Sequence, residues 1–361
     1  MDVKFLPTEE QVMTQAAVRR YVSRDYRHEQ GIAKHWRDFA EAGWLMLAVP
    51  VGHGGLGGDA YDAAVVAEEL GRGLVRAPFV EIALTAAALL RIVSPDRLAA
   101  LAKGDAMPLL AHDEPGMRGD FARLETRAEH VDGTFRLNGR KSGLIGAPFA
   151  DLFIVSAMTA ARPALFTLRA RDATLLPYTT IDDRAGGELQ LVESEAGLLA
   201  IGDTAAAALT AAIDHALVLE SAEALGTMHA AFELTRGYLL TRRQYGQLIG
   251  EFQVLRHRLA DMFTAIEQSR SIVLRGCAAL CGADAATRAR VAAATRTFVA
   301  QSADFVAAQT VQLHGGIGMT EEYIAGHYFK RLMVFAARHG GSEAQVARFA
   351  AMMPSAGVAV A

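Results

Sequence analysis

The sequence predicts a multidomain α+β protein with an N-terminal helical domain, a middle antiparallel β-barrel or sandwich, and a C-terminal four-helix bundle. The first observation is length, since 361 residues exceed what one hydrophobic core usually serves. The second is a change near Met107 from helical patterns to short strands, and the third is a return to helical patterns near Ala205. The predicted domains are residues 1–106, 107–203 and 204–361.

The first domain carries start and stop signals for helices. Thr8 can cap a helix, and Gln11 three residues later completes a capping box. Glycines and a proline between Pro50 and Gly58 interrupt the helical pattern. Helices are expected again over Tyr61–Leu70 and Val80–Ile92.

The middle domain shows short alternating or apolar runs between turn signals. Arg123–Val131 alternates, with Leu124, Thr126 and Ala128 on one face, and Asp132-Gly133 predicts a tight hairpin turn. Asn138-Gly139 is expected to form another turn. Two further apolar runs are typical of buried strands, Leu152–Val155 and Leu165–Leu168.

The third domain contains an apolar seam at spacings of three, four and seven residues. Such a seam predicts packing between long helices, as in a four-helix bundle. Its members are Leu255, Leu259, Met262, Ile266, Val273, Cys277 and Leu280. Cys277 and Cys281 are expected to be buried thiols, because no further Cys or His completes a zinc site near them.

Charge and composition exclude several classes of protein. A net charge of -4 gives no sign of nucleic-acid or anionic-membrane binding. The apolar run near Ile82–Leu90 is too short to span a bilayer. Two cysteines fit a reducing compartment, and the N-terminal segment has neither a signal-peptide nor a transit-peptide pattern. A cytoplasmic protein without membrane or nucleic-acid partners is expected.

Two motifs in the third domain are candidates for a ligand-binding site. Arg242–Gly246 supplies a cation, an amide and an aromatic ring between two helices, and a guanidinium can pair with phosphate in a forked geometry. Gln312–Gly318 contains glycines that let a ligand approach the backbone, although such a cluster can equally end a helix. Neither motif is a phosphate-binding loop of the Walker type or a Rossmann fingerprint, so spacing alone leaves both interpretations open.

Together with further segments of the chain, these two motifs resemble those of the acyl-CoA dehydrogenase family. They lie in order along nearly the whole chain: Ala48–Gly57, Glu68–Arg72, Glu114–Asp120, Asn138–Lys141 and Ala150–Val155. The resemblance implies FAD as cofactor and an acyl-CoA thioester as substrate. It also implies a set of residues that contact the ADP half of a flavin held mainly by a neighbouring subunit. That set is Arg242, Gln244, Tyr245, Phe252, Gln253, Gln312, Gly315 and Gly316. For Tyr245 and Phe252 the alternative is core or interface packing.

The chain departs from the family at the catalytic base. Most members remove the α-proton of the substrate with a Glu, and His339 occupies that position here. Other members carry the base in the helix before the arginine motif, and that position falls at Ala216. Asp214 and Glu220 lie near Ala216 and are expected to point to other sides of the helix. No catalytic residue is therefore assigned: His339 is either a non-standard base or a surface or interface residue in a decayed site.

The flavin-ring segment is also altered. The family's Trp-Ile-Thr is replaced by Gly143-Leu144-Ile145, and an isoleucine cannot supply the hydroxyl hydrogen bond to the ring. Asp113 and Arg118-Gly119 replace the family's usual Thr and Gly-Ser. The chain therefore resembles a subunit that contributes to a partner's flavin and holds no flavin ring of its own.

The C-terminal segments Val311–Tyr323 and Gly326–Leu332 are similar to the small subunits of heteromeric bacterial acyl-CoA dehydrogenases of the pimeloyl-CoA and steroid side-chain types. This resemblance implies an α2β2 assembly with a larger catalytic subunit, a bulky or dicarboxylyl acyl-CoA, and electron-transfer flavoprotein or a similar acceptor. Two alternatives stay open, a self-sufficient homo-oligomer that uses His339 and a purely structural subunit.

Overall fold

A computed structural model describes residues 3–353 of the chain. The outer limits of the first and last predicted domains, residues 1–2 and 354–361, lie outside the described residues. Helices come first, a sheet follows, and long helices complete the chain, so the predicted fold class is confirmed. The last helix before the sheet ends at Ala102, and the first strand begins at Pro108.

The N-terminal helices begin where the sequence signals place them. The backbone amide of Gln11 donates to Thr8 Oγ1 over 3.2 Å, and that of Thr8 donates to Gln11 Oε1 over 3.1 Å, which confirms the capping box. The predicted helix Val80–Ile92 starts as a wide π-helical segment and continues as α4. The elements are α1 (Glu9–Arg24), α2 (Ile32–Glu41), α3 (Ala60–Arg72), the π-helical segment (Phe79–Ala86), α4 (Ala87–Val93) and α5 (Leu98–Ala102).

Seven strands form one sheet in the order β1-β4-β2-β3-β7-β5, and an additional β4–β5 pairing closes it into a barrel. The β6 strand is off this path and pairs with β7. Most pairs are antiparallel, whereas β1 runs parallel to β4. The strands are β1 (Pro108–Ala111), β2 (Arg127–Val131), β3 (Thr134–Ile145), β4 (Leu152–Met158), β5 (Pro163–Arg169), β6 (Thr174–Thr179) and β7 (Ala185–Ile201).

One predicted turn of the sheet is confirmed and the other is wrong. Asp132 and Gly133 join β2 to β3 with φ values of 50° and 81°, as a tight primed turn requires. Asn138 and Gly139 instead lie inside β3, where the pairing with β7 shifts register. The extra residue of this shift lies on β7, where Glu193 has φ 47°. A Cβ on Gly139 would lie 2.6 Å from Thr126 Oγ1, so this glycine lets the residue before β2 pass closely.

The C-terminal helices form the predicted bundle. Met262, Ile266, Val273 and Cys277 of the apolar seam are buried, with the other seam residues packed partly buried around them. Cys281 is exposed in the last turn of its helix, so its predicted burial is wrong. The elements are α6 (Asp203–Thr241), β8 (Arg243–Gln244), β9 (Gln247–Leu248), α7 (Gln253–Gly282), α8 (Ala285–His314), α9 (Ile324–Ala337) and α10 (Gly341–Ala351).

Helix α6 is the central element of the bundle. By length and composition its 39 residues could cross a bilayer, and it is the single such helix within residues 3–353. However, 78% of its most apolar stretch is buried against the rest of the protein. Its hydropathy is therefore accounted for by core packing.

The crossing of α3 and α6 depends on two glycines that bring the backbones together. A Cβ on Gly226 would lie 1.7 Å from the carbonyl oxygen of Glu68, and one on Gly71 would lie 1.9 Å from that of Glu223. No side chain fits between these helices without a shift of the backbone.

We expect Gly226→Ala to lower the free energy of unfolding by about 1–3 kcal/mol, because the added methyl forces the helices apart. Gly237, on the same helix, has no heavy atom within 4 Å of the corresponding position. Gly237→Ala should therefore be neutral or stabilise by up to about 1 kcal/mol through helix propensity. Urea denaturation of both variants measures the difference, and equal effects would contradict this account of the crossing.

Candidate functional site

A cavity of about 60 Å³ lies where the three parts of the chain meet. The π-helical segment, the end of β1, the end of β3, α6 and the junction between α9 and α10 each contribute to its wall. Four candidate segments that are far apart in the sequence come together here: Asp113, Gly143–Ile145, Ala216 and His339. The structure thus brings both family base positions and the altered flavin-ring segment to one place.

His339 lies at the kink between α9 and α10. Its backbone has φ 57°, and Gly340 and Gly341 follow with φ values of 80° and 70°. The imidazole Nε2 is 3.1 Å from both carboxylate oxygens of Glu220, and Nδ1 is 3.7 Å from Asp113 Oδ2. Only 10% of the His339 side chain is exposed, so the residue is not a surface histidine.

Glu220 lines the same cavity, which corrects the prediction that it points to another side of α6. It is four residues from Ala216, and residues at this spacing share one face of an α-helix. Asp214, only two residues from Ala216, does point elsewhere: its carboxylate pairs with Arg288 and Arg348. Helical spacing alone could have identified Glu220.

The carboxylate of Glu220 is buried and held in the ionised state. Arg296 Nη1 lies 2.9 Å from one oxygen, and Arg338 Nη1 lies 3.0 Å from the other. Burial by itself would raise the pKa of Glu220, but Arg338, His339 and Arg296 together lower it well below its usual range. A carboxylate with so low a pKa is a poor general base at neutral pH.

The cavity does not fit a flavin ring. Its volume of about 60 Å³ is far below the ~300–1,000 Å³ of ligand pockets for molecules of that size. Leu144 and Ile145 form part of its wall as buried aliphatic side chains, and neither offers a hydrogen bond to a ring. Arg338 also lines the cavity, and its Nη1 lies 3.0 Å from a carboxylate oxygen of Glu81 and 3.0 Å from one of Glu220.

The arginine motif lies at one end of the helical bundle and is open to solvent. Tyr245 and Gly246 form the turn of the β8–β9 hairpin, with φ values of 53° and 80°. Arg242 and Gln244 are exposed, and Tyr245 is 92% exposed with its ring 6.2 Å from that of Phe252. Packing of Tyr245 inside this chain is therefore ruled out.

The glycine motif lies at the same end of the bundle. The ring of His314, at the end of α8, is 4.7 Å from that of Tyr238 in the last turns of α6. Gly315 does end α8, with φ 64°, so the helix-stop interpretation also holds. The remaining predicted contact residues are exposed: Gln253, Gln312, Gly315 and Gly316.

The exposed groups at this end suit a dinucleotide phosphate and an adenine. Arg242 is a cation with five donors, Gln244 and Gln312 offer amides, and no atom lies within 4 Å of where a Cβ of Gly315 would be. The chain can therefore present these residues outward, to a ligand that another subunit carries.

Family comparisons agree with this architecture. The model for the acyl-CoA dehydrogenase N-terminal domain matches residues 8–97, and that for the acyl-CoA dehydrogenase C-terminal domain matches residues 206–353. The acyl-CoA dehydrogenase IpdE2 of Mycobacterium tuberculosis is 31% identical over 88% of this chain and 84% of its own length. The chain belongs to the acyl-CoA dehydrogenase family, and this membership confirms FAD as the predicted cofactor.

Two solved structures of the same fold are each named for two components. The Tcur3481-Tcur3483 steroid acyl-CoA dehydrogenase, as a G363A variant, is 26% identical with a TM-score of 0.87, over 95% of this chain and 97% of that one. The ChsE4-ChsE5 complex of Mycobacterium tuberculosis has a TM-score of 0.88 at 24% identity, over 98% of this chain and 100% of that one. At that identity the second comparison supports the fold alone.

Proposed function

We propose that this chain is the subunit of a heteromeric FAD-dependent acyl-CoA dehydrogenase that does not carry the catalytic base. The observation that carries the proposal is the cavity itself. At the two positions where family members carry the base, the cavity is lined by Ala216 and by His339, whose ring contacts Glu220. The cavity is also too small for a flavin ring. The likeness to the Tcur3481-Tcur3483 enzyme, named for two chains, supports a larger partner in an α2β2 assembly.

In this proposal the chain contributes to the FAD site at the end of the helical bundle. Arg242, Gln244 and Gln312 bind and orient the ADP half of an FAD whose ring lies in the partner, with Tyr245 covering it. Held in this way, FAD would supply the hydride acceptor for the β-carbon of the acyl-CoA, and a carboxylate of the partner would remove the α-proton. This chain fixes the cofactor's position and excludes water from its phosphates.

The proposed substrate is a bulky acyl-CoA, such as a steroid or bile-acid side chain, or a dicarboxylyl-CoA. Similarity to IpdE2 and to the steroid enzyme supports the steroid class. Electron-transfer flavoprotein or a similar protein is the proposed electron acceptor, and the cytoplasm the proposed location.

We expect His339→Asn to leave kcat of the assembled enzyme within about twofold, because no proton passes through this residue. Asparagine tolerates the left-handed backbone at this position and can still donate to Glu220. Steady-state kinetics with acyl-CoA and an artificial electron acceptor measure the effect. A loss of about 10²–10⁴-fold, the usual contribution of a general base, would instead favour a self-sufficient enzyme that uses His339.

A further inference from the structure

We propose that a buried ion network, and not a flavin, holds the N-terminal helices, the barrel and the C-terminal helices of this chain in one register. The flavin-free chain is then a single rigid unit before its partner binds. The cavity where these three parts meet is too small for a flavin ring, so a cofactor does not join them there. The network lies beside this cavity, away from the residues that the proposed function uses.

Arg338 connects the N-terminal helices to the C-terminal helices. Its Nη1 donates to Glu81, in the π-helical segment, over 3.0 Å and lies 3.0 Å from a carboxylate oxygen of Glu220 on α6. Arg296, on α8, donates to the other oxygen of Glu220 over 2.9 Å. Glu81, Glu220 and Arg296 are buried. A carboxylate from the first part of the chain is thus paired with a cation from the last.

The barrel joins the network through the connection between β6 and β7. Arg184, in this connection, donates from Nη1 to the same oxygen of Glu81 over 3.4 Å. Its Nε donates to Asp182 over 2.9 Å, and Asp182 lies 2.7 Å from Nε of Arg331 on α9. Arg184, Asp182 and Arg331 are buried. The barrel is therefore paired with both helical parts.

Arg331 forms a second link to the N-terminal helices. Its Nη1 donates to the carbonyl oxygen of Val75 over 3.1 Å and to the carboxylate of Glu223 on α6 over 3.0 Å. Together with Arg338 it places two guanidinium groups of α9 and its C-terminal end against the first part of the chain. Both links pass through buried groups of opposite charge, and neither depends on a bound cofactor.

The network leaves almost no space for solvent. The space among Arg184, Glu223, Arg331 and Arg338 is about 10 Å³, enough for at most one water molecule. A small displacement of one part would break ion pairs before water could enter, and buried charges without partners are strongly unfavourable. The three parts therefore keep their register or separate completely. Packed units without such contacts usually move relative to one another.

The two tryptophans of the chain provide a local probe. Trp36 and Trp44 are buried in the N-terminal helices, so tryptophan fluorescence follows unfolding of that part. Far-UV circular dichroism is dominated by the long helices α6, α7 and α8 of the bundle. We expect the flavin-free, full-length chain to unfold in urea with the same midpoint by both probes, since coincident transitions indicate one cooperative unit.

Glu81→Gln keeps the shape of the side chain and removes its charge, so it should uncouple the N-terminal helices. The fluorescence midpoint should fall below the circular dichroism midpoint by roughly 1 M urea. Arg184→Met, which removes the buried cation of the barrel, should also separate the two midpoints. Arg76→Met is the control, because Arg76 contacts the β6–β7 connection through a partly exposed pair with Asp183 at 2.9 Å. It should leave the midpoints coincident.

The proposal is overturned if the flavin-free wild-type chain is unfolded or unfolds with two midpoints. It is also overturned if the midpoints stay coincident in Glu81→Gln and Arg184→Met, as they should in Arg76→Met. A variant that is destabilised but still coupled lowers both midpoints equally, so loss of stability is not mistaken for uncoupling. None of these results depends on the flavin content of the assembly, so they can fail while the proposed subunit role holds.

Discussion

Replacing Arg242 with Ala lowers the affinity of the assembled enzyme for FAD by about 10- to 150-fold, since hydrogen bonds to a charged group contribute ~1.5–3 kcal/mol. Arg242 is exposed beside the hairpin that presents Tyr245 to solvent. A guanidinium there can pair with the pyrophosphate in a forked geometry that no other side chain reproduces. Fluorescence titration of the FAD-depleted assembly measures the change in affinity.

The neighbouring arginine supplies the control. Arg243 is also exposed and carries the same charge, but successive side chains of an extended segment point to opposite faces. Arg243→Ala should therefore change FAD affinity by less than about threefold through long-range charge alone. If the affinity of Arg242→Ala for FAD equals that of the wild type, the chain is a purely structural subunit and the proposed role is wrong.

Replacing Glu220 with Gln should lower the free energy of unfolding by about 3–5 kcal/mol, the usual cost of removing one partner from a buried ion pair. Arg296 is fully buried and pairs with Glu220 at 2.9 Å, so the substitution leaves its guanidinium without a compensating charge. The shape of the side chain is unchanged, which separates this effect from loss of packing. Urea denaturation measures it.

The control is Glu233→Gln on the same helix, where an exposed pair with Arg236 should contribute less than about 1 kcal/mol. The effect of Glu220→Gln should also depend on pH. The folded-state pKa of Glu220 lies well below its unfolded value near 4.3. The stabilisation by the ionised Glu220 is therefore complete above pH 4.3 and is lost as the pH falls through the folded-state pKa. If Glu220→Gln lowers the free energy of unfolding at neutral pH no more than Glu233→Gln does, this account of the buried ion pair is contradicted.

Local signals in the sequence were sufficient for much of the fold. The capping box of Thr8 and Gln11, the hairpin turn at Asp132-Gly133 and the seam around Met262 each depend on residues close in sequence, and each is confirmed. The turn expected at Asn138-Gly139 was wrong because the same dipeptide also suits a strand position that another segment passes closely. Only the passage of Thr126 beside Gly139 decides between them, and that contact is set by strand pairing.

The candidate site was less predictable. The resemblance located His339 and Ala216, but the burial of His339 and its contact with Glu220 depend on the packing of the α9–α10 junction against α6. A helix was predicted over Val80–Ile92, but the π-helical geometry of its first part, which contributes Thr85 and Glu81, was not. Cys281 lies one helical turn after the buried Cys277, yet it is exposed. These features arise from contacts between distant segments.

The flavin-to-protein ratio tests the central claim most directly. Visible absorbance gives this ratio for the chain purified alone and for the chain co-expressed with the larger subunit. We predict a colourless chain alone and one flavin per pair of chains in the assembly, because the ring has no room beside His339. One flavin per chain in the lone protein would contradict the account and would make His339 the first candidate for the catalytic base.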